Sequence, residues 1–193
     1  RTNRERIRIM KQNTAMEHLN KAFELFEKYS RSPYTEDLVS EDFIKDSEKM
    51  LNLKVPTTYL LFLKRYGCYG FFGRDFFGIV PCLFKEKKGY EDLVSLYDAF
   101  NITLEKRQQS QLPNKYIIVG NPGYGPLDAI DTSKPDEHGE CPVVMIQGIL
   151  QDPITKEDTW LEGEKLAPDF GTYLYNESKE ALQNAIDSGE VEA

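Results

Sequence analysis

The order of elements written into this sequence predicts an α+β fold, with N-terminal helices, then strands, then a closing helix. Three observations carry that prediction. Apolar residues recur every three or four positions over residues 14–30 and in two further runs ending at Tyr66. From Gly67 onward glycines and aromatics replace that period, and short β-rich runs separated by turn residues follow. A helical period resumes after Pro168.

Met16, Leu19, Phe23, Phe26 and Tyr29 form the stripe of the first helix, Thr14 and Glu17 are spaced as a capping box, and Ser32-Pro33 ends it. Ser40 caps a second helix, with Glu41 and Asp42 at its positive end. Phe43, Ile44, Ser47, Met50 and Leu51 are its inner face, and Asn52 closes it. Pro56 is expected at the first position of a third helix, carrying Tyr59, Leu60, Phe62, Leu63 and Tyr66 inward. Gly67 suits its left-handed cap.

Gly67, Gly70, Gly73 and Gly78 punctuate the aromatics Tyr69, Phe71, Phe72, Phe76 and Phe77, which predicts a turn and then a strand over about 76–80. Lys85, Lys87 and Lys88 mark a solvated loop, followed by extended structure near 91–97 and a helix near 101–110. Tyr116–Val119 and Leu127–Ile130 flank the turn residues Asn121–Pro126 and read as a hairpin. An acidic loop at 131–140 leads to a strand over Pro142–Gln147 and another over Ile154–Leu161. Pro168 opens the last helix, which buries Phe170, Leu174, Ala181, Leu182, Ala185 and Ile186 and ends near Gly189.

At 193 residues the chain fits one domain, expected over 14–189, with a basic, flexible arm at 1–13. The arm holds five bases against Glu5, net +4, so the remaining chain carries −12 of the total −8. That balance argues against direct nucleic-acid binding, which works by neutralising phosphates, and suits a partner with a basic surface. No apolar run approaches the ~18 residues that span a bilayer. Cys68, Cys82 and Cys141 are odd in number and lack a Cys-x-x-Cys, as expected of buried thiols in a reducing, cytoplasmic setting.

No phosphate-binding loop, nucleophile elbow or His-Glu-x-x-His occurs in the sequence. Only His18 and His138 are available to a histidine-dependent site. His18 lies off the apolar stripe and reads as a surface residue. Asp136, Glu137 and His138 are adjacent, a spacing that rarely converges on one metal ion, and Cys141 reads as a buried thiol rather than a partner of His138. No catalytic residue, metal or cofactor is therefore expected. Trp160, the single tryptophan, sits among acids, the pattern of an anchor with a charged rim or of a half-buried sheet residue.

The ordered set Leu38-Val39-Ser40-Glu41-Asp42-Phe43-Ile44, Leu53-Lys54-Val55-Pro56-Thr57-Thr58-Tyr59, Phe62-Leu63-Lys64-Arg65-Tyr66-Gly67 and Gly70-Phe71-Phe72-Gly73 with Gly78 resembles the SUKH superfamily. Asp131-Thr132, Glu140-Cys141-Pro142-Val143-Val144 and Asp169-Phe170 continue the likeness, which spans a core of about 38–175 and leaves 14–35 as an added helix. Pro122–Pro126 departs from the small acidic turn of many members. The resemblance implies a twisted, mostly antiparallel sheet packed by helices, and a binding role without a shared catalytic set. Many bacterial members are immunity proteins that neutralise a toxin, and fungal members include regulators of cell-wall synthesis. On that basis the chain is expected to be a non-enzymatic immunity protein that covers a cognate toxin, such as a nuclease, or alternatively a regulatory scaffold module. Asp136, Glu137, Asp152, Glu157 and Asp158 are the candidate charged contacts, with Trp160 as anchor. Pro56, Tyr59, Phe62, Leu63, Tyr66, Gly67, Gly70, Gly73, Gly78, Asp131, Glu140, Pro142 and Phe170 match the family motifs and are expected to be structural.

Overall fold

A computed structural model describes residues 3–29, 39–80, 97–123, 125–149 and 159–192, with side chains from Thr14 in the first helix and up to Gly148 in the fifth strand. The α+β order is as expected: α1 (Asn3–Tyr29), α2 (Glu41–Leu51), α3 (Thr57–Tyr66), β1 (Tyr69–Phe71), β2 (Arg74–Phe76), α4 (Ala99–Ser110), β3 (Tyr116–Gly120), β4 (Leu127–Asp131), β5 (Val143–Ile149), β6 (Thr159–Ala167) and α5 (Phe170–Asp187). The six strands lie in chain order and every neighbouring pair is antiparallel. Among the described residues no helix is long and apolar enough to cross a membrane.

Several boundaries differ from the sequence expectation. Helical backbone begins at Asn3, so Thr14 lies inside α1 rather than capping it. Pro56 is the N-cap of α3, one position earlier than expected, and supplies no side-chain oxygen. The strand expected at 76–80 is replaced by the β1–β2 hairpin, whose turn residues Phe72 and Gly73 both have positive φ. Such a two-residue turn matches the twist of the strands it joins. α5 starts two residues after Pro168, capped by Asp169, whose carboxylate accepts from the Thr172 N–H at 2.7 Å. β6 starts at Thr159; residues 154–158 of the expected strand, the basic loop at 85–88 and the extended stretch at 91–96 lie outside the described residues.

Gly67 does not take a left-handed helical cap. Its φ of 70° and ψ of −75° form a γ-turn, closed by the Cys68 N–H donating to Tyr66 O at 2.9 Å. The freed Gly67 carbonyl accepts from the Ile79 N–H at 2.9 Å, and a Cβ on Gly78 would stand 1.7 Å from that oxygen. The backbones of Gly67 and Gly78 thus meet directly where the end of α3 approaches the segment after β2.

The core is aromatic. Phe26 of α1 meets Tyr69 at 4.3 Å and Phe71 at 4.9 Å between ring centroids, and Phe170 of α5 meets Tyr59 at 4.6 Å and Phe62 at 5.3 Å. Each such ring, fully buried, contributes about 2–3 kcal/mol. On β3, the strand's edge outruns its partner, because β2 is three residues long and pairs with β3 only at Phe76–Gly120. α4 fills the gap: Thr103 Oγ1 accepts from the Ile118 N–H at 2.9 Å and Arg107 Nη2 donates to Tyr116 O at 3.3 Å. Two side chains one helical turn apart thereby take the place of a missing strand.

Candidate functional site

The acidic loop after β4 is tied down by its own carboxylates. Asp131, fully buried, accepts from the Ser133 N–H at 3.1 Å, from Ser133 Oγ at 2.6 Å, and from Lys115 and Lys134 at 3.2 and 3.0 Å. Burial works against this carboxylate, yet Ser133 and Lys134 hold it below its ordinary range. Both lysines reach on to Glu162 of β6, at 2.8 and 2.6 Å, and Tyr116 donates its hydroxyl to the same carboxylate at 2.6 Å. Hydrogen bonds from Lys115 and Lys134 pull Glu162 down to about 2. The cluster joins β3, β4, β6 and the 131–140 loop into one polar seam.

Asp136, a candidate contact, is exposed but also braces its own loop, because its Oδ1 accepts from the N–H groups of His138 and Glu140 at 2.8 and 3.0 Å. Glu137 is half exposed and lies 3.8 Å from His138 Nε2, while the His138 side chain is only 4% exposed. No group of three or more potential metal ligands is assembled among the described residues. Cys141 points its thiol to Gly139 O at 3.9 Å, and burial pushes it up to about 11; burial likewise pushes Cys68 up to about 12. Both therefore stay protonated at neutral pH, which leaves them poor nucleophiles. Cys82 lies outside the described residues.

Glu140 turns inward. Its carboxylate receives the Thr58 N–H at 3.0 Å and the Thr58 hydroxyl at 2.6 Å, capping α3 from across the fold. Burial pushes this carboxyl up, against the Thr58 hydrogen bonds that favour its charged form. Tyr59, Phe62, Leu63, Tyr66 and Phe170 are core residues, Pro56 and Pro142 are buried, and the Tyr59 hydroxyl donates to Phe77 O at 3.0 Å. Gly70 lies in β1 and Gly73 at the hairpin turn.

His18 is half-buried and engaged rather than a free surface residue. It stacks on Tyr175 at 5.4 Å and bonds Thr172 Oγ1 at 3.0 Å, while that hydroxyl sits 2.9 Å from Asp169 Oδ2. Thr172 has one proton and gives it to the carboxylate, so His18 Nδ1 must be the donor to Thr172. This chain of bonds borders a pocket of about 550 Å³ whose wall includes Asp136, Glu140, Glu162 and Lys165.

Trp160 stands elsewhere. Its indole N–H donates to Ser110 O at 2.7 Å, and its ring covers Gly148 on the neighbouring strand. It lines a separate pocket of about 490 Å³ with Lys106, Asn121 and Leu127. The 131–140 loop precedes β5 and Gly148 lies near its far end, so Trp160 and the Asp136–Glu137 pair are about 20 Å of strand apart. The structure therefore does not gather these candidates on one spot; Asp152, Glu157 and Asp158 lie outside the described residues. Sequence inspection missed Lys115 and Arg107, whose importance rests on partners distant in the chain and leaves no local pattern.

A family model described as SMI1-KNR4 cell-wall, SUKH_5, matches residues 17–179. No curated protein matches the chain.

Proposed function

Because the chain belongs to the SUKH_5 family, SMI1-KNR4 cell-wall, we propose that it acts by binding another protein. Its form here is that of an immunity protein which covers a cognate toxin domain with an acidic surface. The observation that carries this is the family match over residues 17–179 of a chain whose net charge is −8. An acidic face docks on the basic cleft that a nuclease-type toxin would present, speeds encounter, and mimics the phosphates it displaces. Of the candidate contacts, Glu137, half exposed, supplies a carboxylate, and Trp160 supplies the aromatic anchor at the other end of β5. A regulatory scaffold role is the second form of the same activity, favoured by the cell-wall description of the family.

Co-expression with the protein encoded beside this chain tests the proposal. Rescue of growth together with a purified complex is the expected result for an immunity protein. Normal growth with the neighbour alone overturns toxin neutralisation and favours the scaffold role.

A further inference from the structure

Arg107 is a partly buried cation with no ion pair among the described residues. Its guanidinium donates to Leu51 O at 2.7 Å, Asn114 O at 2.6 Å and Tyr116 O at 3.3 Å, all backbone carbonyls. Three of its five N–H groups are so used; the Nε–H is buried with no partner among the described residues, and one N–H on Nη1 remains for another acceptor. Burial shifts this group, pulling it below its usual value, as expected of a charge without a counter-charge among the described residues. The chain is acidic overall, which makes an arginine without an ion pair among the described residues conspicuous.

The surroundings are those of a docking groove. Arg107 lines a cleft of about 600 Å³ between the C-terminal end of α2, α4 and the approach to β3. Met50, 45% exposed, stands on its α2 side, with half-buried Leu53 and Leu104 beside it and Asn114 and Lys115 on the rim. Lys115 is already engaged by Asp131 and Glu162, so Arg107 is the cation left to an incoming anion. Arginine and methionine beside an apolar floor and a polar rim is the composition of protein interfaces rather than of free surface.

We propose that this groove binds a segment of a partner protein that carries a carboxylate next to aliphatic side chains, the carboxylate pairing with Arg107 and the aliphatic groups covering Met50, Leu53 and Leu104. The inference does not depend on toxin neutralisation, whose basic partner would meet the acidic face instead.

The test uses the full chain and two capped peptides, Leu-Asp-Glu-Leu-Leu and its uncharged counterpart Leu-Asn-Gln-Leu-Leu, followed by NMR of the methyl groups and the arginine side-chain N–H signals. The expected result is that the acidic peptide shifts Met50, Leu53, Leu104 and Arg107 signals and binds at least about fivefold more tightly than the amide form. That factor corresponds to about 1 kcal/mol, a charge-assisted hydrogen bond's share. Arg107→Lys can disturb the fold by losing its carbonyl contacts, so Met50→Glu, at an exposed position, serves as the second variant and should weaken the acidic peptide by a similar factor. Equal binding of the two peptides, shifts confined to another face, or no shift at millimolar peptide overturns the proposal.

Discussion

The Glu140 carboxylate caps α3 by accepting both the N–H and the hydroxyl of Thr58, 82 residues away in the chain. α3 needs this because its own N-cap is Pro56, which has no side-chain oxygen to offer the free N–H groups of the first turn. Glu140→Ala leaves a buried N–H and a buried hydroxyl without an acceptor, and should cost about 2–3 kcal/mol in urea unfolding. Glu140→Gln keeps one acceptor and should lose about half as much. Equal stability of wild type and alanine variant would show that water replaces the carboxylate.

The Gly67–Gly78 contact predicts a sharp contrast between glycines. Gly78→Ala drives a methyl into a backbone oxygen that cannot swing away and should cost about 3 kcal/mol or more, or abolish soluble expression. Gly73→Asn, at a φ of 78° with no atom within 4 Å of an added Cβ, should stay within about 1 kcal/mol of wild type. A melting-temperature comparison of the pair decides it.

Glu162 sets an acid limit. Its carboxyl is held at about 2 by Lys115, Lys134 and Tyr116, below the ~4.3 of an unfolded glutamate. The unfolded chain thus takes up a proton first as pH falls. The stability that Glu162 contributes is complete above about pH 4.3 and is lost progressively toward pH 2. Urea unfolding across that window should fall less steeply for Glu162→Gln than for wild type, and parallel slopes would remove Glu162 from the account.

Partner binding separates the two candidate contacts. Glu137→Gln, at a residue with little internal role, should slow association at low salt while leaving dissociation nearly unchanged. Trp160→Ala should instead speed dissociation by about tenfold or more if the indole is an anchor. Trp160→Phe tests the fold alone: loss of the bond to Ser110 O should cost about 1 kcal/mol. Surface plasmon resonance against the co-purified partner measures the first two, and no change in either rate would move the interface off both residues. Across salt, association should slow about tenfold between about 0.02 and 0.5 M.

Much of the fold is legible in local pattern. The stripe from Met16 to Tyr29, Ser40 as an N-cap and the 116–130 hairpin all rest on neighbours in sequence, and the structure places them accordingly. The departures share a cause. Glycine is frequent in left-handed caps at helix ends, but at Gly67 the approach of Gly78 selects a γ-turn instead. His18 reads as exposed because it lies off the apolar stripe, but α5 packs beside that stripe and offers it Thr172 and Tyr175. Thr103 and Arg107 give no signal, since a helix standing in for a strand is visible only once β2 proves too short. The candidate contacts rest on charge and on one aromatic, and charge in sequence does not reveal which acids are already spoken for, as Asp136 is by its own loop.

α1 and α5, the first and last helices, pack closely along one another, so closely that a methyl on Gly171 would sit 2.3 Å from the Ala15 carbonyl. During synthesis α1 can rest on α3 and β1 as they emerge, through Phe23 against Tyr66 and Phe26 against Tyr69 and Phe71, but its other flank stays open until α5 has left the ribosome. A chain cut short before Phe170 would therefore uncover Ala15 and Leu19, which face Gly171, while Phe23 and Phe26 keep Tyr66, Tyr69 and Phe71, so the unfinished product shows its missing end as an apolar stripe at its beginning.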